Sequence, residues 1–392
     1  MLSSSLLAAT PQTPNWKIHR TGITALLWGQ RQLEIQKQRL NETKGLIVPH
    51  VLTPKKPSDS IVEISLPFGS NSELRDQYLS PFGHIRIGRL LEDLDAMAGN
   101  IAFLHADDGN PGSAPLVIVT ASLDRIHLHR PLMPDQDLVL RGQVTWVGRS
   151  SMEIEISANS THDNAPSIVA VFTMVATDPM TKKSTQVNPL EPVTEEEKKR
   201  FDLGERNRQN SLANEPPTVD ERLVLHRVFM EWNKKVDNAD YVTMSSTARQ
   251  SVILCQPSER NFANKIFGGY LMRSGFELAF STAYLFCKTR PSFEAMDDTT
   301  FHRPVEIGSI LCLKAQVVYS KEGHVMVQVR AHVTDPKIGK EELTNVFNFT
   351  FKCEQPEQGA GALRRVYPES YAEAMAFLEG RRLFHQHQTS CQ

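Results

Sequence analysis

The stretch Asn261-Phe262-Ala263-Asn264-Lys265-Ile266-Phe267-Gly268-Gly269 brings two amides, a cation and two adjacent glycines to the start of an apolar run. Backbone N–H groups at a helix start have no intrahelical acceptor, and together with the helix dipole they favour negative charge. Gly268 and Gly269 leave such donors open to close approach, which is what stabilising an oxyanion requires. The same pair also suits tight packing of a helix on a sheet. Asn264, just before the turn, reads either as an N-cap or as an amide that orients water or a carbonyl. Acids come from an earlier helix. With Leu94 at the centre of its buried face, about 100° per residue puts Asp93 and Asp95 at the two borders and Glu92 on the far, solvated side. A border carboxylate can have its pKa raised and act as a general base, although any one such Asp is more often structural. Glu277 lies within Phe276, Leu278, Ala279 and Phe280, where an isolated charge is costly, so it needs a partner.

Other chemistries are excluded by absent patterns. There is no H-E-x-x-H, G-x-S-x-G, Walker A or G-x-G-x-x-G, hence no zincin, serine-esterase elbow or dinucleotide fold. Five cysteines form no C-x-x-C pair and all lie in the second half, which on this reading excludes a disulfide framework and a cysteine-based structural zinc site and fits a reducing compartment. A formal charge of −2 gives no basic field for nucleic acid or an anionic membrane, and no apolar window is long enough for a membrane span. Residues 1–33 contain no Asp or Glu and many Ser and Thr, as in an organelle transit peptide or a disordered leader.

The elements that position these residues occur twice. Asp124 to Ile156, including His129-Arg130-Pro131, recurs 173 positions later as Asp297 to Val329, including His302-Arg303-Pro304. Within each copy the alternation predicts strands at Leu138–Val147, Met152–Ile156 and Ile168–Ala176, and at Ile310–Tyr319, Val325–Val333 and Thr344–Lys352. The Asp-x-x-x-x-His-Arg-Pro segments are expected to begin strands. Arg130 and Arg303 are either shared structure or contacts for phosphate. One long apolar helix precedes each set, around Leu90–Ile101 and Tyr270–Leu285. The expectation is an α+β fold of two hotdog domains in tandem, each an antiparallel sheet wrapped around a central helix. Domain limits are placed at 58–180 and 241–356, with a leader (1–57), a charged linker with a helix (181–240) and a C-terminal extension (357–392). Aligned helix on helix, Gly88-Arg89 stands where Gly268-Gly269 stands, and His84 where Asn264 stands. If the helices pack antiparallel, one composite site of Gly268, Gly269, Asn264 and Asp95 is intact and its counterpart is degenerate.

These residues resemble the tandem-hotdog acyl-coenzyme A thioesterases. The resemblance runs from about Ile61 to about Phe384 and is most specific at Gly88–Asp95, Trp146–Glu153, Glu259-Arg260-Asn261, Ile266–Arg273 and Asn345-Val346-Phe347. It implies hydrolysis of acyl-coenzyme A to a free acid and coenzyme A, with no metal and no cofactor. Asp95 then serves as general base for water, or as a nucleophile forming an anhydride. Asn264 orients the water or thioester, Asn261 or Lys265 sharing that role, and the Gly269 N–H polarises the carbonyl. Gly268, Asn261, Lys265, Arg273, Arg303 and Arg130 are the expected substrate contacts, with Asp93, Glu277 and His84 as secondary candidates. The resemblance further implies the mitochondrial matrix, the cytoplasm being the alternative, and a homo-oligomer, a trimer of tandem chains. Rival readings are an acyl-coenzyme A binding protein without hydrolysis, and a hydratase using His84.

Overall fold

The computed structural model describes residues 23, 24, 27, 48–110, 112–161, 166–209, 216–234, 241–336, 338–353 and 363–390. The first copy comprises β1 (Val62–Leu66), α1 (Ser72–Tyr78), α2 (Ile87–Ala106), β2 (Val117–Leu128), β3 (Leu138–Val147), β4 (Ser151–Ser160) and β5 (Ile168–Thr177). Helices α3 (Glu195–Gln209) and α4 (Val219–Lys234) follow, then β6 (Tyr241–Thr243). The second copy comprises β7 (Arg249–Leu254), α5 (Gly268–Cys287), β8 (Pro291–Thr300), β9 (Ile310–Lys321), β10 (His324–Thr334) and β11 (Glu341–Cys353). The short β12 (Arg365–Tyr367) pairs with β6, and α6 (Tyr371–Ser390) ends the described chain.

Ten strands form one sheet in the order β1-β3-β4-β5-β2-β8-β11-β10-β9-β7. Its two halves mirror each other about the antiparallel β2–β8 joint, where Ser122 lies opposite Thr300 and His127 opposite Ala295. The sequence expectation of two hotdog units, each with its helix enclosed by its strands, is the observed architecture. Alternation explains the strands: in β5, Ile168, Ala170, Phe172, Met174 and Ala176 are buried, and the residues between them are half-buried. The hairpin at Glu322-Gly323 has φ of 53° and 82°, the left-handed pair that a tight turn demands.

The strands at the joint were not legible. Asp124 and Asp297 lie inside β2 and β8 rather than at strand starts, and both His-Arg-Pro segments follow their strands. Acids at Glu294, Asp297 and Asp298 disguise β8 as a loop, because propensity is weaker than the pairing of β8 with strands on both sides.

The helix-bearing linker and the C-terminal extension are built into the repeat. Helix α3 begins with a capping box, Thr194 Oγ1 accepting from the Glu197 N–H and Glu197 accepting from the Thr194 N–H. Gly204 of α3 lies so close to β3 that a Cβ would sit 2.6 Å from the Trp146 Cβ, and Gly380 of α6 approaches the Tyr319 Cβ to 2.9 Å in the same sense. Trp146 and Tyr319 are themselves equivalent in the repeat, so each copy has an outer helix closing the convex face of its half-sheet.

Two further expectations are corrected. Glu92 is buried, at 2% exposure, because α2 is covered by α5 as well as by its sheet. Cys287, at the end of α5, forms a disulfide with Cys353, at the end of β11, so the cysteine spacing hid a long-range bridge. Ile23, Thr24 and Leu27, within the stretch read as a leader, are buried against the first copy. The rest of residues 1–47 lies outside the described residues, as do 354–362 and Cys391.

Candidate active site

Helix α5 starts against the middle of α2. Phe267, the residue before it, provides no side-chain cap, and the cap comes from the other copy. The Gly269 N–H donates to Asp95 Oδ2 at 2.7 Å, and Thr120 Oγ1, from β2, donates to Asp95 Oδ1 at 2.8 Å. The glycines make this approach possible. A Cβ on Gly269 would lie 2.9 Å from the Glu92 Cα and 3.0 Å from its carbonyl oxygen, and one on Gly268 would lie 3.1 Å from Asp95 Oδ2. Asp95 is 1% exposed, and burial pushes its carboxyl up to about 6 against the lowering effect of the two hydrogen bonds, with neighbouring Glu92 adding a small rise. A carboxylate with this pKa is ionised near neutrality and still basic enough to accept a proton.

A cavity of about 550 Å³ opens from Asp95. Asp95, Thr120, Gly268 and Asn261 line it, and Lys265, Arg303 and Lys182 are among the residues around it. Asn261 Oδ1 accepts from the Lys265 N–H at 3.0 Å. Lys265 is ion-paired with Glu306 and Arg303 with Glu342.

Several sequence candidates lie elsewhere. Asn264 adopts a left-handed φ of 59° at the tip of the turn, is exposed and does not line the cavity, so Asn261 is the amide that faces the site. The turn needs a residue tolerant of positive φ at position 264, and asparagine supplies it. Asp93 accepts from Thr24 and Tyr78 on another side of α2. Arg273 pairs with Glu92 at 2.7 Å, away from the cavity. Glu277 has the partner it was expected to need, Arg86 at 2.6 Å, but the pair is substantially exposed rather than sunk in the apolar run. Arg130 follows β2 on the surface, and His84 sits exposed in the turn before α2. Thr120 was missed: a threonine in a strand carries no motif, and only the fold brings it to Asp95.

The pseudo-symmetric position is closed. Arg89 replaces Gly269, and Gly275 replaces Asp95, with Phe347 Cδ2 only 3.0 Å from where a Cβ would be. At the places of Ala96, Thr120 and Met174, all on the open cavity, stand Phe276, Phe293 and Phe351. Their rings pack with centroids 5.4 to 6.2 Å apart.

The chain is similar to proteins of known family. Residues 82–165 match the thioesterase superfamily. The chain is 37% identical over 351 residues to human mitochondrial acyl-coenzyme A thioesterase 9, covering 85% of this chain and 79% of that one. It is 37% identical over 392 residues to chloroplastic acyl-coenzyme A thioesterase 2 of Humulus lupulus, covering 92% and 88%. Among solved structures, an acyl-CoA hydrolase from Staphylococcus aureus in complex with butyryl coenzyme A matches with a TM-score of 0.36 at 23% identity, over 38% of this chain and 92% of that one.

Proposed function

Because the chain belongs to the acyl-coenzyme A thioesterase family and hydrolyses acyl-coenzyme A to a free fatty acid and coenzyme A, we propose that it does so at one site, with Asp95 as general base. The observation that carries this is the buried Asp95 carboxylate, held by Gly269 and Thr120 beside an open cavity. Asp95 takes a proton from water as the water attacks the thioester carbon, and the coenzyme A thiolate leaves. Gly269 and Thr120 fix the base, since their hydrogen bonds occupy one lone pair on each carboxylate oxygen. The Gly269 N–H is therefore engaged by Asp95, and the expected role in polarising the carbonyl passes to the Gly268 N–H and the Asn261 amide, which share the cavity. Lys265 and Arg303 stand where they can meet the phosphates of coenzyme A. Arg273 acts through Glu92 rather than on substrate.

No histidine lines the cavity among the described residues, which disfavours a hydratase built on His84. The chemistry proposed needs no metal or cofactor. The organellar names of the relatives support an organellar location, with the mitochondrial matrix as the compartment, and hotdog units commonly associate, so a homo-oligomer such as a trimer of tandem chains belongs to the same reading. Among the described residues no helix is long and apolar enough to cross a membrane.

Asp95→Asn tests the assignment. Asparagine keeps the shape and can accept from Gly269 while donating to Thr120 Oγ1, so only the base is lost. Thiol release from acyl-coenzyme A is expected to fall by at least about 100-fold, with binding of substrate retained in calorimetry. Turnover near the wild-type rate sinks the role of Asp95.

A further inference from the structure

Beyond Asp95, the cavity continues along α2. Gly99 and Phe103 follow Asp95 at intervals of four residues on one helix face, making a wall about 12 Å long. Gly99 is unusual among the helix glycines here. Gly88 and Gly275 are pressed against side chains, whereas a Cβ on Gly99 would meet nothing within 4 Å. A mid-helix glycine is less favourable than alanine, and no packing neighbour requires one at this position. What the missing side chain leaves is space on the cavity.

Thr24 and Leu27, from the stretch ahead of the first copy, also line this space. Both are buried, at 3% and 7% exposure, as is Ile23 at 2%. Thr24 is fastened to α2: its backbone N–H at 3.1 Å and its hydroxyl at 2.9 Å both donate to Asp93 Oδ1, while the Tyr78 hydroxyl donates to Asp93 Oδ2. Asp93 is fully buried and its two oxygens are used in this way, so this acid, two residues before the general base, serves as an anchor for Thr24.

We infer that the acyl chain runs from Asp95 past Gly99 toward Phe103, and that Leu27, held in place by the Thr24–Asp93 anchor, closes this path and sets acyl-chain length. The inference rests on the proposed reading of the Asp95 site and adds to it the residues that select the substrate. Thr24 is a positioning residue in this scheme, acting through Leu27.

The test is kcat/KM of the full chain on a panel from acetyl- to palmitoyl-coenzyme A, with thermal unfolding of each variant alongside. Leu27→Trp and, independently, Gly99→Leu are expected to move the preference toward shorter chains, lowering the long-to-short ratio at least tenfold through KM, or roughly fourfold for each methylene denied burial. Leu27→Ala is expected to move it toward longer chains. Thr24→Val should follow Leu27→Ala, and Thr24→Ser, which keeps the hydroxyl, should restore the wild-type profile. Gly99→Leu guards against a folding artefact, since its Cβ enters open space. A wild type that hydrolyses the panel with a profile unmoved by both Leu27→Trp and Gly99→Leu overturns this inference alone, as does an equal loss on every chain length. A wild type that hydrolyses no member overturns the reading of the site and this inference with it.

Discussion

Adding one methyl group to either glycine at the start of α5 should separate packing from chemistry. At Gly269 the new Cβ would meet Phe267 Cε1 at 2.7 Å, the Glu92 Cα at 2.9 Å and the Glu92 carbonyl oxygen at 3.0 Å. The phenyl ring can turn away, but two of the three atoms are α2 backbone, so the helices must move apart. Overpacking of this kind costs about 1–3 kcal/mol, and the better helix propensity of alanine returns about 0.5–1 kcal/mol. The net loss for Gly269→Ala is about 0–2.5 kcal/mol, centred on about 1 kcal/mol. At Gly268 the neighbours are side-chain atoms only: Asp95 Oδ2 at 3.1 Å, Phe301 Cε1 at 3.3 Å and Thr120 Oγ1 at 3.4 Å. Gly268→Ala should therefore change stability by less than about 1 kcal/mol. Its methyl group, however, stands between the base and the space a thioester carbonyl must enter. The loss in kcat/KM should match removal of an oxyanion donor, about 100- to 1,000-fold. Urea unfolding and thiol release measure the two quantities. The reasoning is refuted if Gly268→Ala turns over substrate at the wild-type rate, or if it is the less stable of the two variants.

The raised pKa of Asp95 makes two predictions. With Asp95 as base, kcat/KM should climb about tenfold per pH unit below about 6 and level off above it; an inflection at the ordinary carboxylate value speaks against Asp95. Because the folded pKa lies above the unfolded value of 3.8, the stability linked to this group is complete below about 4 and is lost as pH rises through about 6. Wild type should then forfeit about 3 kcal/mol by pH 8 that Asp95→Asn keeps, so the inactive variant should be the more stable one near pH 8 and gain little near pH 4, as read by unfolding at both pH values. Arg273→Leu should destabilise by about 3–5 kcal/mol, since Glu92 is buried and would retain only Arg89, 3.6 Å away. Adding Glu92→Gln should recover more than half of that loss, and no recovery means the pair is not the cause.

Much of this site could be read from residue types because its logic is local. Paired glycines before an apolar run mark a helix start whose donors can be approached, and the three-strand pattern in each copy fixes which helix belongs to which sheet. What could not be read depends on contacts between distant segments. Thr120 is one threonine among many until the sheet delivers it to Asp95. Asn261 and Asn264 differ by three positions, and only the backbone decides between them: the turn sets position 264 at φ 59° and puts 261 on the cavity. Glu92 seemed solvated because a helical wheel knows one buried face, and α2 has two. The Cys287–Cys353 bridge spans 66 residues with no spacing motif to announce it.

The closed half of the duplication still bears on the open one. Arg89, which occupies the place of the second glycine, lies 3.6 Å from Glu92, and Arg273, which is equivalent to Asp93 in the repeat, reaches the same carboxylate at 2.7 Å. Glu92 is the residue whose backbone receives Gly269 and whose charge adds to the upward shift of Asp95. An uncompensated carboxylate there would oppose both the close helix contact and the ionised base. Of the residues that close the second site, Arg89 thus supplies one of the two cations that hold Glu92 at the first, and Phe276, Phe293 and Phe351 supply apolar packing around α5. A symmetric pair of sites would need a glycine at 89 and an acid at 275, and would lose the Arg89 cation and, wherever the second cavity opened, the packing of these rings. One working site braced by its degenerate twin is the arrangement these residues favour.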